Sequence, residues 1–563
     1  SDFLPGARGR YVFTSLQALD FGMPAIFERN LLKPGVDDAS VSLGLVQAGG
    51  YVQHEWNVGE SLMLRAGLRM DVPVLLDRPD DNPELREILG YSTSAIPERH
   101  VLLSPRLGFN WRPAFGDGLQ LRGGAGILSG RPPLAWLMNA YANNGLRSAF
   151  LRCEGGRAPL LSATPADTCA DGVGLEAGAT PSVAVIDPEF RFPQEFRASI
   201  ALDRRLPLGL AATVEGVYSR ALRQIALREI NLSAPVEDRR PQDGYSPVLG
   251  GRPNYGIPTL DGFTARRRDS RFGHVVLLTN DDGDFSYGVS AEVRRSFGEA
   301  IGARVSYAYA RSGDRQSLLM SDAVANFGLT PTSGDPNDLP LRPSAFDQPH
   351  KVTATLAGRL PGRLGGGELS LFYIGQSGRP YSYVYAGDAN GDGYPGDGLV
   401  LDATNDLLYV PAIGAQTPAD ISTRARIEQA IALDECLQRF RGGILPRNHC
   451  RTPWSNRLDL RLRQPVTIAG TTLRWTADVA NVLNLLNDEW GRIYRTAAVV
   501  PLLALAREAD GVDGLSPADP LAFVYAAPTA RDPETGLSRS TTPWVADVPA
   551  SQWQIQIGVE VDF

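Results

Sequence analysis

No stretch of these 563 residues approaches the roughly 18 unbroken apolar positions that a membrane-crossing helix requires. Helical membrane spans are excluded; strands are not, because a membrane barrel hides its apolar residues in alternation and leaves mean hydropathy ordinary, here −0.15. Positive charge is in short supply too. A net charge of −8 argues against a nucleic-acid partner. Histidine is scarce, with only His54, His100, His274, His350 and His449, and none lies in a nucleophile–base motif. No GxSxG, HExxH or phosphate-cradling glycine loop is visible, so the chain is not expected to be an enzyme. Cysteine is limited to four residues in two local pairs, Cys153 with Cys169 and Cys436 with Cys450. Their spacing does not suit a zinc site, and two loop disulfides formed in an oxidising compartment are favoured over four free thiols.

Glycine and proline are plentiful, at 59 and 42, which favours many turns over long helices. The clearest order is at the end of the chain. From Ser551 to Phe563, Trp553, Ile555, Ile557, Val559, Val561 and Phe563 alternate with Gln552, Gln554, Gln556, Gly558, Glu560 and Asp562. Period two gives a strand with one greasy and one wet face. Its length suits a tilted membrane-spanning strand of roughly 9–11 residues better than a soluble strand of about 5–6. The same alternation recurs upstream in pairs. Leu62, Leu64, Ala66, Leu68 and Met70 share a face against Arg65, Arg69 and Asp71, following a short turn at Gly59-Glu60. Further hairpins are expected around 103–130, 195–220, 285–312, 350–378 and 455–484, with a short strand candidate at Arg10 to Phe13 and uncertain pieces near 489–500 and 521–527. Short turns alternate with long insertions, which are read as irregular. A barrel spanning a bilayer sorts its connections this way, with short turns on the inner side and long loops outside. The predicted fold is all-β, a transmembrane antiparallel up-and-down barrel to which this chain contributes about fifteen or sixteen strands, its last strand pairing with the first. Leu458, Leu460, Leu462, Trp475, Ala477 and Val479 are expected to face lipid, and Arg457, Arg461, Arg463 and Arg474 the wet interior.

The opening SDFLPGARGR has no basic segment leading into an apolar core, so the chain reads as mature or as beginning partway through a longer product. One loop motif stands out, DANGDGYPGDG at 388–398. Asp388, Asn390 and Asp392 occupy positions 1, 3 and 5 of a calcium loop, Gly393 supplies the sharp turn at 6, and the Tyr394 carbonyl falls at 7. Leu399 stands where a bidentate Glu is expected, with Asp397 or Asp402 as substitutes. Calcium is the expected ion; the bland alternative is an acidic turn with no ion. ARRRDSR at 265–271 could meet an anionic ligand or lipopolysaccharide phosphates, although a solvated charge run is the commoner explanation.

Taken in order, YVQHEWNVGESLMLRAGLRMDVP (51–73), LSPRLGFNWRP (103–113), LRGGAGILSGRPP (121–133), GQSGRPY (375–381), RGGILPRN (441–448), PWSNRLDLRLRQ (453–464) and DVANVLNLLN (478–487) resemble the C-terminal part of a TonB-dependent outer-membrane receptor of the Oar-like branch. The resemblance implies a bacterial outer-membrane location, contact with membrane lipid and lipopolysaccharide, and a barrel of roughly 22 strands. Residues 1–563 would then be barrel sequence that begins partway through the barrel, with its earlier strands, plug, TonB contact and regulatory-like domain expected upstream; a plugless, smaller barrel is the alternative. The implied function is uptake of an external ligand through TonB coupling, set against a surface role in adhesion or protein export.

Overall fold

The computed structural model describes residues 8–561 apart from 14, 39, 116–117, 131–132, 175–180, 236–251, 260–261, 299, 321, 361–365, 387, 395–404, 415–420, 469–470, 508–522 and 527–542. Its frame is one large antiparallel sheet. The main path holds thirteen strands: β1 (Leu45–Val58), β2 (Leu62–Leu75), β3 (Leu102–Trp111), β4 (Leu119–Ser129), β5 (Gln194–Leu206), β6 (Leu210–Glu229), β7 (Phe285–Phe297), β8 (Ile301–Asp314), β9 (His350–Arg359), β10 (Glu368–Gln376), β11 (Ser455–Ile468), β12 (Thr471–Ala480) and β13 (Gln554–Val561). Each pairs with its sequence neighbours, as an up-and-down path requires. Three shorter strands bring the sheet to sixteen. Among the described residues β1 pairs only with β2 and β13 only with β12, so the two ends of the path are edges and the expected first-to-last pairing is not formed.

The register separates the two chemistries. Leu460 lies opposite Val479 and Leu462 opposite Ala477, while Trp475, Ala477 and Val479 continue to Val559, Ile557 and Ile555. Arg461 lies opposite Asp478 and binds it, and Arg474 donates to Glu560 at 3.2 Å. Leucine and arginine therefore occupy opposite faces, because a one-residue slip would carry every side chain across the sheet. The wet face is laced by cross-strand ion pairs, Arg65 with Glu55 at 2.7 Å, Arg122 with Asp203 at 3.0 Å and Arg304 with Glu292 at 3.6 Å. The other face leaves Leu68, Leu107, Ile200, Val289, Val305 and Ile557 open, the last at 70% exposure. An apolar face of that extent needs a covering, and lipid supplies it. No helix among the described residues is long and apolar enough to cross a membrane.

Hairpin turns such as Pro207–Gly209 collect at one end of the strands. The long connections at the other end are not irregular; they fold into a head. Arg10–Val12 does not join the large sheet but pairs with Ile26–Leu32, which pairs with Ser148–Glu154. Val499–Arg507 and Phe523–Ala526 likewise belong to a separate four-stranded sheet with Pro380–Ala386 and Cys450–Arg451. The distal part of β6 leaves the main path after a register shift at Ala221/Arg223 and pairs with Val275–Asp281, which runs parallel to Val183–Ile186. Helices Leu134–Ala142 and Ala323–Gly328 pack on these strands through Leu137, Tyr141, Phe327, Leu227 and Val276.

Both disulfides form, Cys153–Cys169 and Cys436–Cys450, with Cα separations of 5.5 and 5.6 Å. They are not loose loop staples. Cys153 sits within a strand and packs with Phe27, Leu31 and Leu151; Cys436 sits on the short helix Glu435–Arg439 against the tyrosine-lined core of the four-stranded sheet. Replacing both cysteines of either pair by serine is expected to lower stability by about 3 kcal/mol, the closure entropy of a loop of this size. Unfolding of the purified variant, compared with the parent, reads this directly.

Candidate functional site

Residues 388–394 leave the strand Pro380–Ala386 and turn back on themselves inside the head. Gly391 and Gly393 have φ of +73° and +92°. A Cβ on Gly391 would lie 2.3 Å from the Gly256 nitrogen, so that position needs glycine for backbone angle and for space; Gly393, packed against the Arg267 guanidinium, needs it for the backbone angle. The loop is held by neighbours far away in sequence. The Tyr255 N–H donates to the Asn390 carbonyl at 2.6 Å, and the Thr332 N–H donates to the Asn405 carbonyl at 2.6 Å. Three long connections, those after β6, β8 and β10, thus meet at one point.

The side chains singled out in this motif are buried rather than spread into solvent. Asp388 is 8% exposed, Asn390 1% and Asp392 0%. Asp388 accepts from the N–H groups of Gly391, Asp392 and Gly393, the last at 2.8 Å. Asp392 accepts from the Tyr394 N–H at 3.1 Å and from the amides of Asn390 and Asn405. Asp397 and Asp402 lie outside the described residues, as does Leu399. A third carboxylate is supplied instead by Asp406, which the motif does not contain. It accepts from the Ala389 and Asn390 N–H groups at 2.6 and 3.1 Å and from Arg252 at 2.7 Å. Burial pushes all three carboxyls above the ordinary range; Asp392, raised also by Asp406, reaches about 7.

The Tyr394 ring does not point to the loop interior. It stacks on His274 with centroids 3.9 Å apart, and its hydroxyl donates to Glu229 at 3.4 Å. His274 Nδ1 is 2.9 Å from the same carboxylate and its Nε2 is 3.1 Å from the Gly393 carbonyl, while Arg267 Nη1 lies 3.6 Å from Glu229. No local spacing marks this cluster beyond the presence of a histidine, since its members meet only through tertiary folding. Arg267 belongs to the run ARRRDSR, whose arginines do different things: Arg271 forms surface pairs with Asp269 and Glu84, whereas Arg267 is drawn inward.

Beside the point where β6 bends away lies a cleft of about 680 Å³ lined by Glu98, Arg99, His100, Glu189, Arg191 and Arg223, among others. His100 Nε2 is buried there without a hydrogen-bond partner among the described residues. Burial first, then Arg191 and Arg223, holds the imidazole below its usual pKa and so uncharged at neutral pH. The lining offers hydrogen bonds and charge of both signs. No described group of three or more His, Cys, Asp or Glu side chains is arranged as a metal centre.

A family model described as an outer membrane beta barrel domain matches residues 14–488. None of the curated proteins matches the chain. Among solved structures, the FrpB iron transporter from Neisseria meningitidis is 11% identical, with a TM-score of 0.37 over 82% of this chain and 47% of that one. The outer membrane transporter YddB from Escherichia coli is 12% identical, with a TM-score of 0.36 over 82% and 50%. A ferric enterobactin receptor, PfeA, from Pseudomonas aeruginosa is 10% identical, with a TM-score of 0.37 over 81% and 44%. The chain spans about half the length of these structures or less, and the likeness is too slight to carry function to it.

Proposed function

The chain belongs to the outer membrane beta barrel domain family, and we propose that it is the barrel part of a receptor that takes up an external ligand with TonB coupling. The observation that supports this most is the pairing of a lipid-compatible sheet with a folded head on the long-loop side. A passive wall would need only short loops there. The head instead carries two disulfides and a polar cleft, features suited to holding a ligand before passage. The cleft, where Arg99, Arg191 and Arg223 stand among Glu98, Glu189, Asp281 and Asp282, suits a polar ligand that pairs with charge of both signs. No hydrolytic step is part of this reading. Lipopolysaccharide phosphates and membrane lipid are the expected surroundings of the wall.

The test uses the whole gene in its own cell envelope. Culture medium is followed by mass spectrometry for cells with the gene, without it, and with the gene but lacking TonB. At least one compound is expected to be depleted only in the first. Reversing charge at Arg191→Glu and Arg223→Glu, with surface level unchanged, is expected to slow that depletion by more than about tenfold, since like charges at a binding surface cost several kcal/mol. Equal depletion in all three cultures would overturn the uptake reading in favour of a surface or export role.

A further inference from the structure

Asp388 and Asp392 are sealed in the head, and among the described residues no cationic side chain lies within ion-pair distance of either. Asp406 is different: its charge is matched by Arg252, itself buried, and its second oxygen is taken by two backbone N–H groups of the loop. Two buried carboxylates are thus left with hydrogen-bond donors but no countercharge.

Asn405 adds an independent observation. It is fully buried, its Nδ2 donates to Asp392, and its Oδ1 has no hydrogen-bond partner among the described residues. A buried amide oxygen left unpaired pays its desolvation penalty with nothing in return. Turning the amide end for end forfeits nothing at Oδ1, but it brings that oxygen against the Asp392 carboxylate. Two oxygens at that separation repel unless a cation lies between them. A cation there supplies the missing countercharge and a partner for the turned oxygen, in exchange for the hydrogen bond from Asn405 Nδ2 to Asp392.

We infer that Asp388, Asn390, Asp392 and Asn405 form a calcium site at the junction of the three long connections. The donor set contains only oxygen ligands of carboxylate and amide type, with neither thiolate nor imidazole, which selects a hard cation over zinc or copper. Calcium accepts 6–8 oxygens in adaptable geometry, whereas magnesium demands a near-ideal octahedron. Asn405, outside the motif, would supply an oxygen where the motif lacks its usual Glu at position 12. Asp406 is a positioning residue: it holds the Ala389 and Asn390 N–H groups and so fixes the backbone from which the ligands project. With neutral Asn405 in place of a bidentate carboxylate, the site falls in the weak extracellular class, with Kd roughly 10⁻⁴–10⁻³ M. The ion would close the loop 388–394 onto Asn405, inside the connection after β10, beside the Arg252–Asp406 pair that links this connection to the one after β6.

Chelator-treated full chain, purified in detergent, is titrated with calcium chloride and separately with magnesium chloride by calorimetry. One calcium is expected to bind in the weak extracellular range, with magnesium at least about tenfold weaker. Asp392→Asn should weaken calcium by more than about tenfold. Asn405→Asp is the sharper variant, because it adds a charged oxygen and should tighten calcium binding while destabilising the calcium-free head. No heat of calcium binding to the parent chain overturns the inference, as does an Asn405→Asp variant whose affinity is unchanged or weaker. The parent titration stands even if a variant fails to fold, and it reads the loop independently of uptake.

Discussion

Arg252→Met is expected to destabilise the head by about 3–5 kcal/mol, the range for removing one partner of a buried ion pair. The Arg252 and Asp406 side chains are 1% and 0% exposed and meet at 2.7 Å. Arg252 also donates to the Leu407 carbonyl and lies over the Tyr385 ring at 5.4 Å. Methionine restores part of the packing and none of the charge, leaving Asp406 ionised beside Asp388 and Asp392 or protonated at a cost. The double variant Arg252→Met with Asp406→Asn should recover much of the loss, since it removes both charges together. Thermal unfolding and limited proteolysis of the head in purified protein measure both variants. A single variant as stable as the parent would show that the pair contributes nothing.

The second large effect concerns the sheet. Ile557→Arg should cost about 2–4 kcal/mol at mid-bilayer depth, whereas Gln556→Arg, one residue away, should be nearly neutral. Ile557 is 70% exposed and lies opposite Ala477 in β12, on the face shared with Leu462. Gln556 lies opposite Asp478, which an arginine can meet. Refolding into liposomes, followed by urea titration, separates the two substitutions. Equal costs would mean that the two faces of β13 do not differ in what they touch.

How much of this was legible depends on the range of the interaction. Alternation is local, so the strands from Leu45 to Val561 and their six short turns could be read from the chain. The facing of Leu460 against Arg461 followed, because register converts one hairpin's pattern into a whole face. Apolar alternation was less informative where a segment is short. Arg10 to Phe13 was read as a short strand, and Arg10–Val12 is one, but three residues carry nothing that says it pairs with Ile26–Leu32 in the head rather than with the large sheet. The tally of fifteen or sixteen strands matches the sixteen of the large sheet, but thirteen of these form the up-and-down path and three are short strands beside it. In the candidate site, Asp388, Asn390 and Asp392 were visible because their spacing is local. Asp406, Asn405 and Arg252 were not, since they reach the loop through long-range contacts. Gly393 was recognised for its turn, but the packing of Arg267 against it is a tertiary fact.

The account rests most heavily on a membrane-spanning sheet with one face in lipid, and β13 offers the direct measurement. All described cysteines are in disulfides, so a single cysteine introduced in turn at 554–561 carries the only free thiol for a nitroxide label. In liposomes, collision rates with oxygen and with a water-soluble nickel complex are recorded at each position. Oxygen access should peak at 555, 557, 559 and 561, and nickel access at 554, 556, 558 and 560, with period two throughout. Uniform access to the nickel complex along the strand would contradict the account.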